Sequence, residues 1–260
     1  MSPSVSVVML CSPGRDRMRA RAIASVRSQT YSPIQIVTHE SRPGVTIGTL
    51  RNEAVERCFG DIIAHADDDD VSHGLRIEEQ VALLESSDAD CVGYRECAFW
   101  DTRVCSSCKF GQPYLDEQQE RPGRWHGTSL GPHRCDSTAW VYRSPDPRYA
   151  IGASLMYWRT AHERVPFPDK NVGEDQHFTM RVKTVGVSAL TSRFMHGPVL
   201  RVGANSAEFV KPSGVEEEPC EPRLICGIHG SNSADYRKLS KQSWRRAPEL
   251  DEVCRVRMAL

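Results

Sequence analysis

Asp67-Asp68-Asp69-Asp70 is the stretch in which residue type and spacing most directly suggest chemistry. Four adjacent carboxylates repel one another strongly unless a cation is present. Hard divalent ions such as Mg²⁺ and Mn²⁺ prefer these oxygens, and one or two protein carboxylates usually share the ion with substrate phosphates. The competing reading is a solvated acidic loop that caps the next helix. A second acidic pair, Glu174-Asp175, opens a helical pattern, where carboxylates favour the helix dipole. Plain helix capping is the bland reading of this pair. Cys105-Ser-Ser-Cys108, followed by His126, His133 and Cys135, carries partial zinc-ligand logic. Cys105, Cys108, His133 and Cys135 are the candidate structural zinc set, and free thiols in a loop are the bland alternative.

The elements that must position these residues alternate in type. Residues 5–10 form a short β-branched run, the signature of a buried parallel strand, and Pro13-Gly14 breaks it. Residues 15–29 read as an amphipathic helix with Met18, Ala22 and Val26 at helical spacing. A strand at 34–38, a helix at 46–59 and a strand at 61–66 follow, and the last runs straight into the four aspartates. A helix at 75–84 and a strand at 91–100 complete this half. The alternation predicts a parallel sheet with helices on both faces. Open sheets of this kind bind ligands beyond the carboxyl ends of their strands, where the aspartates fall. Residues 101–139 read as an irregular insertion rich in Cys, His, Gly and Pro. Strand-like patterning resumes at 140–143 and 153–159, a helix is expected over 173–186 with Gly186 as its stop, and 236–260 reads as a basic tail.

Composition limits the function classes. The chain has 260 residues, of which 39% are hydrophobic and 26% charged, which is globular and neither disordered nor collagen-like. Lys+Arg 33 against Asp+Glu 34 gives a net charge of -1, so no global basic field marks a nucleic-acid binder. Arg15, Arg17, Arg19 and Arg21 cluster on the first helix; a solvated face is the default, and phosphate or nucleic-acid contact is the alternative. No stretch approaches the roughly 20 apolar residues that a membrane span needs. The amino terminus lacks the basic region of a signal peptide, which leads to the expectation of a cytoplasmic protein. Most of the ten cysteines lie in apolar runs and are expected to be reduced.

The order Leu50-Arg-Asn-Glu-Ala, then Gly60-Asp-Ile-Ile-Ala-His-Ala-Asp67, then Gly152-Ala-Ser-Leu-Met, then Gly173-Glu-Asp175 resembles the family 2 glycosyltransferases. A downstream His229-Gly-Ser-Asn-Ser is similar to that family's ending. The resemblance covers residues 4–100 and 148–235. It implies a GT-A-like α/β fold over 1–235, with 1–100 as the nucleotide-sugar half and 140–235 as the acceptor half. It further implies an inverting, metal-assisted transfer from a nucleoside-diphosphate sugar, a UDP-sugar first among them, to an acceptor hydroxyl.

By the same resemblance, Asp67 and Asp69 are the ends of a D-x-D motif that holds Mn²⁺ or Mg²⁺ and the donor. Asp68 lies within the motif and Asp70 supports the loop. His229 is the favoured third ligand, with His196 as the alternative. Asp175 is the general base. Ser12, Pro13 and Arg15 line the nucleobase loop, and Arg51 and Asn52 face the diphosphate. The family's Asp-Asp-x-Ser turn is replaced by Thr38-His39-Glu40-Ser41, in which Glu40 would accept a hydrogen bond from a pyrimidine N3–H. The acceptor class stays open among glycans, small molecules and nucleic acids with a hydroxylated base. Two other functions stay open: a nucleotidyltransferase, disfavoured by the Gly-poor 12–14 loop, and a zinc-stabilised binding module on a degenerate transferase fold. Residues 118–125 share letters with the Q-x-x-R-W motif of processive synthases, but they are interrupted and precede the Glu-Asp pair.

Overall fold

The computed structural model describes residues 2–101, 125–128, 131–134, 138–190, 199–202, 207–210, 221–228 and 243–259. The β-branched runs of the first half become β1 (Val5–Cys11), β2 (Ile34–Glu40) and β3 (Ile62–Asp67). All three are parallel, and β1 lies in the middle. Its register runs from Val5 opposite Ile34 and Ile62 to Leu10 opposite Asp67 and Cys11 opposite Glu40. The carboxyl ends of the three strands are therefore level.

The crossovers α1 (Asp16–Arg27) and α2 (Ile47–Val55) cover opposite faces. Strand alternation divides the side chains. Val5, Val7, Met9, Ile62, Ala64 and Ala66 pack with Ala22 and Val26 of α1 and with Ile77, Val81 and Leu84 of α3 (Arg76–Ser86). Val8, Val37 and Ile63 pack on the other face with Ala54 and Val55 of α2. Each fully buried aliphatic side chain contributes about 1.5–3 kcal/mol, which makes this alternation a strong determinant of register. Winding runs outward from β1 to β2 and then back past β1 to β3. That reversal creates the crevice at which open α/β sheets bind ligands.

The second half is mixed. β4 (Val71–Ser72) leads into α3, and β5 (Cys91–Asp101) follows it. β9 (Met156–Trp158) runs antiparallel between β3 and β5. The main sheet runs β14-β8-β5-β9-β3-β1-β2, where β8 is Thr138–Arg143 and β14 is Trp244–Arg246. β10 (Thr184–Ser188) and β13 (Leu224–Ile228) both pair parallel to β5. Hairpins β6 (Trp125–Thr128)–β7 (Gly131–Arg134) and β11 (Val199–Val202)–β12 (Ala207–Val210) stand apart from that sheet. Helices α4 (Arg159–Arg164), α5 (Glu174–Thr179) and α6 (Asp251–Ala259) complete the described elements. None of the described helices is long and apolar enough to cross a membrane. The six described cysteines are free and buried.

Three sequence expectations are corrected. The helix expected over 173–186 ends at Thr179, and Gly186 lies inside β10. A Cβ on Gly186 would meet the Tyr149 carbonyl at 2.5 Å and the Pro147 carbonyl at 2.9 Å. The glycine thus admits a strand beside a neighbouring backbone and does not stop a helix. The strand expected over 153–159 is extended only at 156–158, because 152–154 form a 3₁₀ turn. Within the expected basic tail, 243–259 packs as β14 and α6, and Ala247, Leu250 and Cys254 join Ala98, Val141 and Ile225 in a third core cluster.

Candidate active site

The aspartate run begins at the last residue of β3 and turns back toward β1. Asp68 is 1% exposed; its carboxylate accepts from the Ser12 amide at 2.6 Å and from Arg15 Nη1 at 2.8 Å. Arg15 also reaches Asp69 Oδ2 at 3.3 Å. Asp70 Oδ1 accepts from the Gly227 amide at 3.0 Å, which ties the loop to β13. Arg21 Nη2 donates to the Asp69 carbonyl at 3.1 Å, and its Nη1 donates to the Met258 carbonyl of α6. Arg15 and Arg21 of the Arg cluster thus face the aspartates and not solvent, because the first turns of α1 lie directly over the end of β3.

Asp67, Asp69 and Asp70 each present a carboxylate oxygen, and these oxygens lie within 4.8 Å of one another. Burial pushes the Asp67 carboxyl up to about 6; Asp69 and Asp68 add like charge, and Arg51 opposes the shift. Burial, then Asp69 and Asp67, push Asp70 well above the usual carboxylate range. Asp70 Oδ2 is buried without a hydrogen-bond partner, beside the weakly donating thiol of Cys226. An orphaned buried oxygen within a set of hard oxygen donors fits a divalent cation.

Arg51 links this loop to the second acidic pair. It projects from α2 onto the β3 face that carries Ile63, His65 and Asp67, since side chains two apart share a face. It is 5% exposed, and its Nε lies 3.4 Å from Glu174 Oε1. Burial works against its charge, but Asp67, Glu174 and Asp175 outweigh it and raise its pKa above the ordinary value. Burial raises the pKa of Glu174 despite Arg51. Gly173 starts α5 at φ 77°, a left-handed conformation that favours glycine. Asp175 then accepts from its neighbour's amide, Gln176 N, at 2.7 Å and from the Tyr149 hydroxyl at 3.4 Å. Burial, with Asp175 adding to it, holds that phenol well above its usual pKa, so it remains a donor.

A family model, glycosyl transferase family 2, matches residues 17–164, a span that includes α2, the aspartate run and β9. The chain belongs to glycosyl transferase family 2. Its sheet has the α/β, GT-A-like arrangement that the sequence resemblance implied. No curated protein matches the chain by sequence. Among solved structures, it is similar to S. aureus TarS 1-349 in complex with UDP-GlcNAc, at 10% identity and TM-score 0.47, over 87% of this chain and 59% of that one. The same TarS fragment in complex with UDP gives 10% identity and TM-score 0.46, over 86% of this chain and 60% of that one. A mannosyltransferase from Pyrobaculum calidifontis in complex with GDP-Man and Mn2+ gives 14% and 0.45, over 82% and 59%. The chain therefore spans about 60% of the length of these chains, and 37% of the longer S. aureus TarS chain.

Measured against the family 2 expectations, the fold brings Ser12, Arg15, Asp67, Asp68 and Asp69 together, with Arg51 joining them to Glu174 and Asp175. Pro13 is exposed on the turn just before Gly14. The Asn52 side chain is engaged by Phe167 and His162. Its amide donates to the Phe167 carbonyl and accepts from the Phe167 amide, each at 2.9 Å, and His162 Nε2 lies 2.8 Å from the same oxygen. One helical position from Arg51 is about 100° of rotation, enough to turn it toward the Phe167 backbone. Glu40 is exposed, and its carboxylate accepts from Arg19. His196, His229, Cys105, Cys108 and Cys135 lie outside the described residues. His133 stands opposite His126 in the β6–β7 register.

Sequence reasoning missed His65, Arg76, Tyr149 and Gly227. Arg76 is 1% exposed and donates to the carbonyls of His65 at 2.7 Å and Ala153 at 3.0 Å. Its signal was an arginine on the apolar side of α3, four residues before Gln80. A Cβ on Gly227 would meet the Asp69 carbonyl at 2.8 Å, a close approach that no local sequence pattern reveals.

Proposed function

We propose that the chain transfers a glycosyl group from a nucleoside-diphosphate sugar to an acceptor hydroxyl, with inversion. The observation that carries this reading is the carboxylate cluster at the β1/β3 crevice, joined through buried Arg51 to Glu174-Asp175. The donor lies at the carboxyl ends of β1 and β3. Ser12 and Arg15 border it there, and the arginine offers charge-assisted hydrogen bonds to diphosphate oxygens. Asp175 takes the proton from the acceptor hydroxyl. The acceptor oxygen forms its bond to the anomeric carbon as the bond to the diphosphate breaks on the opposite face, and the nucleoside diphosphate leaves with the bonding electrons. Tyr149 keeps the Asp175 carboxylate oriented.

Asp67, Asp69 and Asp70 would hold a divalent cation, and His229 is the next residue after the end of β13, the strand whose Gly227 bonds Asp70. A bound cation neutralises charge on the leaving diphosphate.

Thermal unfolding with a panel of nucleoside-diphosphate sugars tests the reading. Bound ligand stabilises by mass action, about 2.7 kcal/mol at a hundredfold excess over Kd. A donor should raise Tm with Mn²⁺, and both EDTA and Asp69→Ala should remove the rise. Equal stabilisation with and without metal overturns the metal assignment, and the absence of stabilisation by any sugar nucleotide overturns the donor.

A further inference from the structure

The guanidinium of Arg51 is held by a residue of β3, two positions before Asp67, to which neither donor binding nor proton transfer has been given. Its Nη1 lies 2.7 Å from His65 Nδ1, and His65 Nε2 lies 2.8 Å from the Tyr157 hydroxyl. His65 is 1% exposed and Tyr157 is fully buried. We infer that His65 is a positioning residue for the proposed transfer, a neutral imidazole that locks Arg51 in place between Asp67 and the Glu174-Asp175 pair.

Arginine has donors only, so Nδ1 must be the acceptor of this bond. The ring hydrogen then sits on Nε2 and is donated to the Tyr157 oxygen. One tautomer satisfies both neighbours, and the hydrogen bond on one ring nitrogen dictates the state of the other. The Phe167 ring lies under the guanidinium, with its centroid 5.7 Å from Cζ, and also meets the imidazole edge-on at 5.5 Å. The far side of Arg51 is confined as well. A Cβ on Gly152 would lie 3.0 Å from Arg51 Nη2 and 3.1 Å from Asp175 Oδ2, so the guanidinium and the proposed base border one glycine. The His65 backbone is anchored in turn. Its amide donates to the Leu155 carbonyl at 2.8 Å, and Arg76 joins its carbonyl to that of Ala153. His65 thus ties β3 and the 152–155 segment to the cation that faces both reacting sides.

An aliphatic residue at 65 would fill the space but offer no acceptor. Arg51 would keep its charge and lose its aim. Asparagine places its Oδ1 close to the site of imidazole Nδ1 and restores the acceptor alone.

The inference rests on the glycosyl-transfer reading and is tested by comparing His65→Leu with His65→Asn. Misplacement of about 1 Å can cost about 10²-fold in rate, so His65→Leu should lower transfer at saturating donor by about that factor, with donor Kd changed less than about threefold. His65→Asn should recover most of the rate. Wild-type transfer by His65→Leu overturns the inference, as does an Asn variant no better than Leu when both unfold at the wild-type Tm. Should the Leu variant fail to fold, ¹⁵N NMR of the wild-type imidazole decides. The Nε2–H tautomer supports the inference, and Nδ1–H or an imidazolium overturns it. A wild-type chain that binds no sugar nucleotide would sink the transfer reading itself, and the tautomer would still report on the Arg51–His65 bond.

Discussion

Nε of Arg51 on α2 lies 3.4 Å from Oε1 of Glu174 on α5, and both side chains are buried. This contact ties α2 to α5 beside the aspartate run. Removing one partner of a buried pair is costly because the other charge is left uncompensated. Arg51→Met should therefore destabilise the protein by about 3–5 kcal/mol in urea unfolding. Adding Glu174→Gln to Arg51→Met should recover part of that loss, because Glu174 is then no longer a stranded charge. A loss below 1 kcal/mol for Arg51→Met would show that Arg51 is not needed to neutralise Asp67 and Glu174.

Gly227 lies against the aspartate loop through its own backbone. In Gly227→Ala the new methyl would press on the Asp69 carbonyl, a backbone atom that cannot rotate away. Overpacking of this kind costs about 1–3 kcal/mol. The variant should also lose metal-dependent stabilisation by sugar nucleotides, because the loop that carries Asp69 and Asp70 must move. Retention of both stability and metal response would mean that the loop shifts without effect.

The Asp67 carboxyl stands at about 6, raised from 3.8, so between those values the folded state holds more proton than the unfolded one. Stability from this group is greatest at low pH and is lost as pH rises from about 4 to about 6. Other carboxylates, among them Asp61 and Asp169 with lowered pKa values, act in the opposite sense. The measurement is therefore a difference. Without added metal, the stability of the wild type minus that of Asp67→Asn should fall as pH rises through this window. A flat difference would mean that Asp67 titrates as an ordinary carboxylate, and a rising one that folding lowers its pKa; either would overturn the prediction.

Asp175→Asn separates chemistry from donor binding. The amide keeps the size of the carboxylate and much of its hydrogen bonding to Tyr149 and Gln176, but it cannot accept a proton. General-base catalysis contributes about 10²–10⁴-fold, so transfer should fall by about that factor while donor affinity stays within a few-fold. A variant that transfers sugar at a near wild-type rate would leave Asp175 as a helix cap, with Glu174 and His177 the next residues to test.

By itself the sequence determined the alternating strands and helices of the first hundred residues. β-branched runs of strand length separated by amphipathic helices admit few arrangements, and the aspartates had to fall at a strand's carboxyl end. The Glu-Asp pair was legible as the start of a helix. The tertiary structure alone decided the rest. β9 enters antiparallel between β3 and β5, an event that three residues of local pattern cannot announce. Gly186 looked like a helix stop because its real constraint, the carbonyls of Pro147 and Tyr149, lies 39 and 37 residues earlier in the chain. Arg51 and Asn52 were alike as neighbours in a motif, and only packing sent one to the aspartates and the other to the Phe167 backbone. His65 carried no signal in the sequence, and only the fold sets Arg51 and Tyr157 on its two nitrogens. Periodicity is written locally, and so the strands and helices could be read. A buried charge takes its partners from wherever the fold brings them, and so the contacts within the site could not.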